Sequence, residues 1–413
     1  MKNVPLLPAE ILLPKADLEK WAVIACDQFT SDRDYWNQVE SIVGDAPSAL
    51  RLTLPEIYLT EKDVAYRIEK VSASTKEALE KGIFKKYPSS YFYIERTQPD
   101  GRVRPGLVGM VDLEAYDYRR DAVSLVRATE QTVVDRLPPR VAIRRRAYVE
   151  LPHVMLLADD PEKKMIEPLA GKKDSFEKVY DFDLMLGGGH IVGYRVDDET
   201  AEELMALQEK MLAEKPLLFA VGDGNHSLAT AKECYRLVKE KIGEEAAKKH
   251  PARYALTEVI NLHDPALDFE PIYRVMFDVN AADLIADLKN AFEDKTNNDS
   301  FTCVTNRGRE KIGITLEPGE LIVGKLQNFL DEWMKSHPTA RIDYIHEEAH
   351  TVSLAQKENA VGFLYRGIGK EDLFPAVVAS GSLPRKTFSM GVSRDKRYYL
   401  EAREITDGKL IEN

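Results

Sequence analysis

The chain has 413 residues, of which 44% are hydrophobic and 31% charged, and its formal net charge is −12. These proportions are typical of a folded globular protein and exclude a disordered chain, while the length favours two domains. The acidic balance argues against a nucleic-acid binder, because such proteins neutralise phosphates with Lys and Arg.

Targeting signals and cysteines indicate the compartment. No apolar run approaches the roughly 20 residues that cross a bilayer, and the N-terminus lacks the pattern of a signal peptide. The three cysteines, Cys26, Cys234 and Cys303, are scattered and form no CxxC pair, which argues against disulfides and a cysteine zinc site. We therefore expect a cytoplasmic protein without membrane or nucleic-acid partners, and the sequence leaves a homo-oligomer open.

The first part of the chain mixes extended and helical patterns. A buried strand is predicted at 21–26, ending at Asp27, and a helix at 61–82, where apolar residues recur at helical spacing. Apolar runs at 91–94 and 107–111 flank a Gln-Pro-Asp-Gly turn, which predicts an antiparallel hairpin.

Strands then alternate with helices of ten to fifteen residues, the pattern of α/β units. The predicted strands are 148–157, 190–196, 217–221, 255–262, 272–277, 341–345 and 360–365, and the predicted helices are 199–214, 226–241, 281–292, 321–337 and 349–358. We predict an α/β fold (mixed with α+β) built on a mixed parallel and antiparallel sheet. Residues 1–265 form an N-terminal α/β domain, and residues 266–413 form a second, smaller α/β domain whose tail is free to fold back on the first.

The segment 217–232 is the best candidate for an active site. Its apolar run Leu217–Val221 fits a strand that is buried on both faces, and glycines at 222 and 224 let the backbone turn sharply and approach a ligand. Asn225 is predicted to cap the helix that follows. The main-chain donors near His226 and Ser227 would then form an anion site at the positive end of the helix.

Asp223 and His226 add a carboxylate and an imidazole to this loop. Such a pair suits a general base or a metal ligand. The alternative is structural, with Asp223 and Asn225 capping the helix and His226 packing on its first turn.

This loop and several blocks in the same order resemble a known family. The loop resembles a D-G-H-H-R signature, and the other blocks are Arg127-Ala128-Thr129-Glu130, Gly188-Gly189-His190, Ile345-His346, Ala360–Leu364 and Leu383-Pro384-Arg385-Lys386-Thr387. On these residues the chain is identified as a member of the domain-of-unknown-function family 1015.

The family signature is similar to that of ParB/sulfiredoxin-like proteins, which include kinases that phosphorylate free serine. The resemblance implies a ParB/sulfiredoxin-like element with a nucleotide-phosphate site that includes Gly224, ATP or ADP as the donor, and Mg²⁺. Asn225 replaces the first histidine of the signature, and Ser227 replaces its arginine. Another cation, Arg127, Arg385 or Lys386, would then have to bind the phosphate.

The resemblance also suggests catalytic roles. Asp223 would be the base or would hold Mg²⁺ through a water, and Asp27 and Glu130 are further candidate carboxylates. His190 follows three glycines and would face the same pocket. For each of these residues, a capping, surface or strand role is the alternative.

Two other classes of function compete with the phosphotransferase. His346-Glu347-Glu348-Ala349-His350 matches the HExxH pattern of zinc-dependent hydrolases, although the apolar residues before it predict a strand end. The other rival is a non-catalytic ParB-like nucleotide-binding protein. We favour a kinase that acts on a small molecule, an amino acid or phosphorylated metabolite, with free L-serine as the leading substrate.

Overall fold

A computed structural model describes residues 4–293 and 296–406. The α-helices are α1 (Leu18–Trp21), α2 (Arg33–Val43), α3 (Val64–Glu80), α4 (Leu137–Arg144), α5 (Asp198–Glu214), α6 (Asn225–Ile242), α7 (Glu244–Ala247), α8 (Ala281–Phe292), α9 (Ile322–Ser336), α10 (Glu348–Ala355) and α11 (Lys370–Ser380). In the part of the chain so described, no helix combines the length and the apolar character that a bilayer crossing requires.

The strands are short and numerous. In chain order they are β1 (Leu6–Leu7), β2 (Ala9–Pro14), β3 (Val23–Ile24), β4 (Phe84–Ser90), β5 (Phe92–Thr97), β6 (Val103–Asp112), β7 (Tyr116–Asp117), β8 (Val126–Ala128), β9 (Val149–Glu150), β10 (Val154–Ala158), β11 (Glu177–Leu184), β12 (Gly189–Arg195), β13 (Phe219–Asp223), β14 (Tyr254–Asn261), β15 (Phe269–Pro271), β16 (Tyr273–Phe277), β17 (Asp299–Thr305), β18 (Gly308–Ile314), β19 (Arg341–Ile345), β20 (Ala360–Leu364), β21 (Phe388–Met390), β22 (Tyr398–Tyr399) and β23 (Arg403–Glu404).

The chain divides into two compact units. The first unit comprises residues 1–128, 132–267 and 392–413, and the second comprises 129–131 and 268–391. The chain leaves the first unit two residues beyond the predicted boundary at 265. Its last segment belongs to the first unit rather than to the second.

The first unit is built on a large mixed sheet. Its strand order is β11-β12-β5-β6-β14-β10-β13-β8-β7, with β1 added beside β6. The pairs β10–β14, β13–β8 and β7–β8 are parallel and the other pairs are antiparallel. The predicted mixed α/β fold is therefore confirmed.

Both faces of this sheet are buried. Successive side chains of a strand point to opposite sides, so neighbouring residues belong to different hydrophobic clusters. Ile94 and Val108 pack into one hydrophobic cluster, whereas Tyr93 and Leu107 pack into the other. The C-terminal segment lies on the side of Ile94, since Tyr398 and Leu400 belong to the same cluster. This placement brings charged residues of the segment onto the sheet.

The second unit has a five-stranded sheet of order β18-β17-β20-β16-β19. All its pairs are antiparallel, so its alternating helices do not form parallel crossovers. Its core lies between this sheet and the apolar faces of α8 and α9, which bury Leu284, Leu288, Leu326 and Leu330 completely.

Local patterns predicted several elements closely. The structure confirms the β5–β6 hairpin and reproduces the predicted limits of α8 and β19. Two strand predictions were wrong in detail. Trp21 ends α1, so that only Val23–Ile24 is extended, and the predicted strand 148–157 is interrupted between β9 and β10 at Pro152 and His153.

Candidate functional site

The loop between β13 and α6 has the predicted strand–loop–helix form. β13 ends at Asp223, and Gly224 adopts a left-handed conformation (φ 84°, ψ 28°) before α6 begins at Asn225. Gly224 rather than Asn225 is thus the N-cap, and no side chain caps this helix. The predicted capping role of Asn225 is wrong, because the turn depends on a conformation that glycine adopts without strain.

Gly224 also lies close to a histidine from another element. A Cβ atom at Gly224 would lie 2.9 Å from Cδ2 of His153 and 3.1 Å from Cα of Val154. Glycine is therefore required here for its size as well as for its backbone conformation.

Replacing this glycine should be costly. We expect Gly224→Ala to lower the free energy of unfolding by about 3 kcal/mol, of which roughly 1 kcal/mol is the left-handed conformation and the rest the clash. Gly101→Ala is the matched control, since Gly101 has φ 87° with no atom near its Cβ position, and it should lose about 1 kcal/mol. Denaturant unfolding of both variants provides the measurement, and equal losses would contradict the packing argument.

Five side chains form a hydrogen-bonded chain beside this loop. Oδ2 of Asp27 lies 3.0 Å from Nε2 of His153, and Nδ1 of His153 lies 2.7 Å from the hydroxyl of Tyr399. That hydroxyl donates to Sγ of Cys26 at 3.1 Å, and Oδ1 of Asp27 accepts a hydrogen bond from Gln28 at 2.9 Å. Asp27 and His153 are therefore held in fixed positions.

The pair of Asp27 and His153 is an ion pair. Burial disfavours the charged forms of both groups, but the charge of His153 and its hydrogen bond keep the pKa of Asp27 well below its usual range. In the same way, Asp27 raises the pKa of His153 well above 6.5, against the effect of burial. His153 is then an imidazolium that donates through both ring nitrogens, to Asp27 and to Tyr399.

The ion pair should make stability depend on pH in a defined window. Asp27 has a lowered pKa, so its contribution is full above pH 3.8 and is lost on acidification. His153 has a raised pKa, so its contribution is full below pH 6.5 and is lost as the pH rises through the folded value. The Tm difference between the wild type and His153→Gln should be largest between these values and should shrink above pH 6.5. A difference that grows from pH 6 to pH 9 would contradict the ion pair.

A buried lysine, Lys396, interacts electrostatically with the carboxylates of Asp223 and Asp27. Nζ of Lys396 lies 3.8 Å from Oδ2 of Asp223, and its side chain is only 8% exposed. The charge of Lys396 also contributes to the low pKa of Asp27. Asp27, His153, Asp223 and Lys396 are therefore one electrostatic cluster, hereafter the Asp223 cluster.

The Asp223 cluster and the adjoining Asn225 each present one acceptor atom without a hydrogen-bond donor among the described residues. Among residues 4–293 and 296–406, no donor lies within hydrogen-bond distance of Oδ2 of Asp223 or Oδ1 of Asn225, and both atoms are buried. His226, in contrast, accepts the amide of Val133 through Nε2 at 3.3 Å. This ring nitrogen is therefore already engaged by the protein, whereas the sequence analysis assigned His226 to a phosphate contact.

Two other predicted residues of the first unit lie apart from the cluster. Arg127 is buried in β8 and donates to the carbonyl oxygens of Ser124 and Pro216, before the start of β13. His190 lies on β12 and pairs with Asp181 and Asp183 of the neighbouring β11. Four strands, β5, β6, β14 and β10, separate β12 from β13. Arg127 does not replace the missing signature arginine, and His190 does not line this site.

The remaining three predicted residues belong to the second unit. Glu130 accepts the amides of Lys386 and Thr387 at 3.1 and 3.0 Å, and burial raises the pKa of Glu130. The carbonyl oxygens of Arg385 and Lys386 accept hydrogen bonds from the buried Arg274. Glu130 thus fixes a loop, and the side chains of Arg385 and Lys386 are exposed.

The HExxH pattern does not form a zinc peptidase motif. His346 follows the end of β19, Glu347 is the N-cap of α10, and His350 lies inside that helix. The two histidines are not on one helix face, which is what the motif requires. In the described ranges, no group of three His, Cys, Asp or Glu residues is arranged to hold a metal ion.

His153 and Lys396 were not among the residues predicted from the sequence. His153 is 126 residues from Asp27 along the chain, and its only local signal is the adjoining Pro152. Lys396 lies in the charged run Arg394–Arg397, which resembles an ordinary surface segment.

Comparisons with known proteins give one family and several distant folds. The family model described as "Protein of unknown function (DUF1015)" matches residues 6–365, and no curated protein matches the chain. Similar solved structures include a conserved hypothetical protein from Pyrococcus furiosus (TM-score 0.35, 11% identity, covering 72% of this chain and 94% of that one). A mutant free serine kinase in complex with ADP has a TM-score of 0.40 at 12% identity, with coverages of 70% and 90%. SbnI from Staphylococcus aureus, truncated at its C-terminus, has a TM-score of 0.38 at 9% identity, with coverages of 69% and 83%. At these scores the structural matches carry no argument about activity.

Proposed function

The chain belongs to the family of proteins of unknown function DUF1015, and from that premise we propose that it is a kinase-type phosphotransferase acting on the hydroxyl of a small molecule. The observation that carries the proposal is the Asp223 cluster, in which two carboxylates and two buried cations meet beside the N-terminus of an 18-residue helix. Phosphoryl transfer requires this combination of positioning, charge neutralisation and a nearby base.

The acceptor side of the cluster suits a hydroxyl group. Oδ2 of Asp223 and Oδ1 of Asn225 lack donors among the described residues, and a buried acceptor without a donor is costly. A substrate hydroxyl or ammonium group would supply those donors. Free L-serine carries both, and it is the substrate class to which the resemblance of this loop points.

Asp223 and Asp27 have different roles in this proposal. A general base works best when its pKa is near the operating pH, and His153 holds the pKa of Asp27 well below its usual range. Asp27 therefore remains ionised and orients the cluster, while Asp223 receives the proton. His153 acts through Asp27 and is a positioning residue.

In the proposed transfer step, one bond to phosphorus forms, one breaks, and one proton moves. The hydroxyl oxygen of the substrate forms a bond to the transferred phosphorus, and the bond from that phosphorus to the bridging oxygen of the nucleotide breaks. The hydroxyl proton passes to Asp223. Lys396 and the main-chain donors at the start of α6 neutralise charge on the phosphate oxygens.

The cluster fits a nucleotide-bound Mg²⁺ in one respect only. Mg²⁺ in such enzymes is held by one or two carboxylates and the substrate phosphates, and Asp223 has a carboxylate oxygen without a hydrogen-bond donor in the described ranges. Asp223 would hold the ion, through water, and the ion would neutralise phosphate charge.

A coupled assay tests the proposal. Purified protein is incubated with ATP or ADP and each member of a panel of hydroxyl-bearing amino acids and hydroxy acids, and nucleotide consumption is followed. We expect consumption only when a hydroxyl substrate is present, with L-serine above alanine. Nucleotide binding without consumption across the panel would instead identify a binding protein.

A further inference from the structure

Two arginines lie side by side on adjacent strands of the large sheet of the first unit. Arg96 on β5 and Arg104 on β6 are direct partners in the antiparallel register, and each is only 2% exposed. Like charges placed opposite each other on a sheet are destabilising, and the cost is greater when they are buried. Arg397 from the C-terminal segment is equally buried and adds a third guanidinium group nearby.

The protein only partly compensates this charge. Arg96 donates to the carbonyl oxygens of Gly188 and Arg394 and packs 4.9 Å from the ring centre of Tyr398. These partners are neutral. Burial and then the charge of Arg104 lower the pKa of Arg96 to about 10, as expected for a guanidinium without a carboxylate partner.

The carboxylates on this face contact Arg397 more closely than Arg104. Arg397 hydrogen-bonds to both Glu258 and Glu401, whereas Arg104 forms a longer ion pair with Glu258, at 3.7 Å and without a hydrogen bond. The carboxylate of Asp395 accepts the amide of Val392, and Arg104 reaches only the carbonyl oxygen of Asp395. Three guanidinium groups thus face two carboxylates, and one carboxylate oxygen, Oε1 of Glu258, has no hydrogen-bond donor in the described ranges.

Each of the three arginines also has an unused donor. The Nε atoms of Arg96, Arg104 and Arg397 are buried, and none has an acceptor in the described ranges. Buried donors of this kind are rare in folded proteins. Three on one face, with unbalanced positive charge, indicate an anionic ligand.

This arginine cluster adjoins the Asp223 cluster. Arg104 contacts Sδ of Met155 at 3.7 Å. Met155 on β10 is the register partner of Asp223 on the adjacent β13. Lys396 precedes Arg397 and contacts Asp223. The two clusters are therefore neighbours on the same face.

We propose that Arg96, Arg104 and Arg397 form a binding site for a phosphate group, because guanidinium groups match phosphate oxygens in charge and geometry. The phosphate belongs either to the donor nucleotide or to free phosphate. The assignment of phosphate rather than another anion rests on the proposed function, whereas the anion site itself rests on the arginines.

Thermal unfolding with two probes tests this site. Inorganic phosphate and ADP are titrated separately into the full-length protein at constant ionic strength. A ligand that binds the folded chain raises Tm by mass action, and we expect a saturable rise of about 2 °C or more with at least one probe. Arg104→Gln should abolish most of the rise, and the exposed Arg394→Gln, in the same segment, should retain it.

The outcomes separate this site from the proposed reaction. No saturable rise with either probe in the wild type, or an undiminished rise in Arg104→Gln, would overturn the site. If Arg104→Gln does not fold, Arg96→Lys keeps the charge but loses the guanidinium fork, and an unchanged rise there would have the same meaning. A phosphate response that persists in Asp223→Asn without any transfer in the wild type would leave the site standing and reject the kinase.

Discussion

Asp223→Asn should abolish phosphate transfer while leaving the chain folded. The substitution keeps the shape of the side chain and removes the acceptor of the hydroxyl proton, for which general-base effects predict a loss in kcat of about 10³-fold. The fold should tolerate it, because Oδ2 of Asp223 has no hydrogen-bond donor within the described part of the chain and Lys396 approaches only to 3.8 Å.

Steady-state kinetics with the best substrate of the panel gives the measurement, together with Tm. Asp121→Asn is the matched control, since Asp121 is an exposed carboxylate of the same unit, and it should behave like the wild type. If Asp223→Asn retains more than about a tenth of the wild-type kcat, the loss is too small for a general base, and Asp223 is not the base.

Lys396→Met should cause the second large loss. Lys396 is a buried cation that contacts Asp223 and lowers the pKa of Asp27. Without it, the carboxylates would repel an incoming phosphate, so kcat/KM for the nucleotide should fall by about 10²–10³-fold. A matched substitution two residues away, Arg394→Gln, removes an exposed cation from the same segment and should change kcat/KM less than about threefold.

Conservative rescue separates electrostatics from packing for this lysine. Lys396→Arg restores the positive charge, so it should recover part of the activity that Lys396→Met loses. A Lys396→Met variant with wild-type kcat/KM would show that the lysine only neutralises Asp223 and does not act on phosphate.

The local part of the site was predictable from sequence. The apolar run and the helical spacing that follows it are short-range signals, and they placed β13, the turn and α6 within a few residues of their observed limits. The N-cap was misassigned to Asn225, because the pattern alone did not show that Gly224 would adopt the left-handed conformation that ends the turn.

The long-range part was not predictable in the same way. Asp27 was identified from its place after a predicted strand, but its partner His153 comes from the break between β9 and β10. Which distant segments meet depends on strand order, and here β10 lies between β14 and β13. No periodicity in the sequence encodes that order.

The resemblance to the family selected charged residues whose contacts only the structure shows. Glu130, Arg385 and Lys386 were selected as charged members of shared motifs, yet Glu130 accepts main-chain amides of the loop that carries the two cations. A charged residue of a shared motif can hydrogen-bond to main-chain groups of its own chain instead of binding a ligand. Lys396 and the arginine cluster lie outside the quoted blocks, and only the folded chain brings them together.

³¹P NMR of the reaction with L-serine and ATP or ADP, run in parallel with the wild type and Asp223→Asn, tests directly whether the protein is a kinase with Asp223 as its base. With the wild type, we expect a new phosphomonoester signal that grows as the nucleotide signal declines, and with Asp223→Asn we expect none above background. Equal product from both proteins, or none from the wild type with any hydroxyl substrate of the panel, would contradict this expectation.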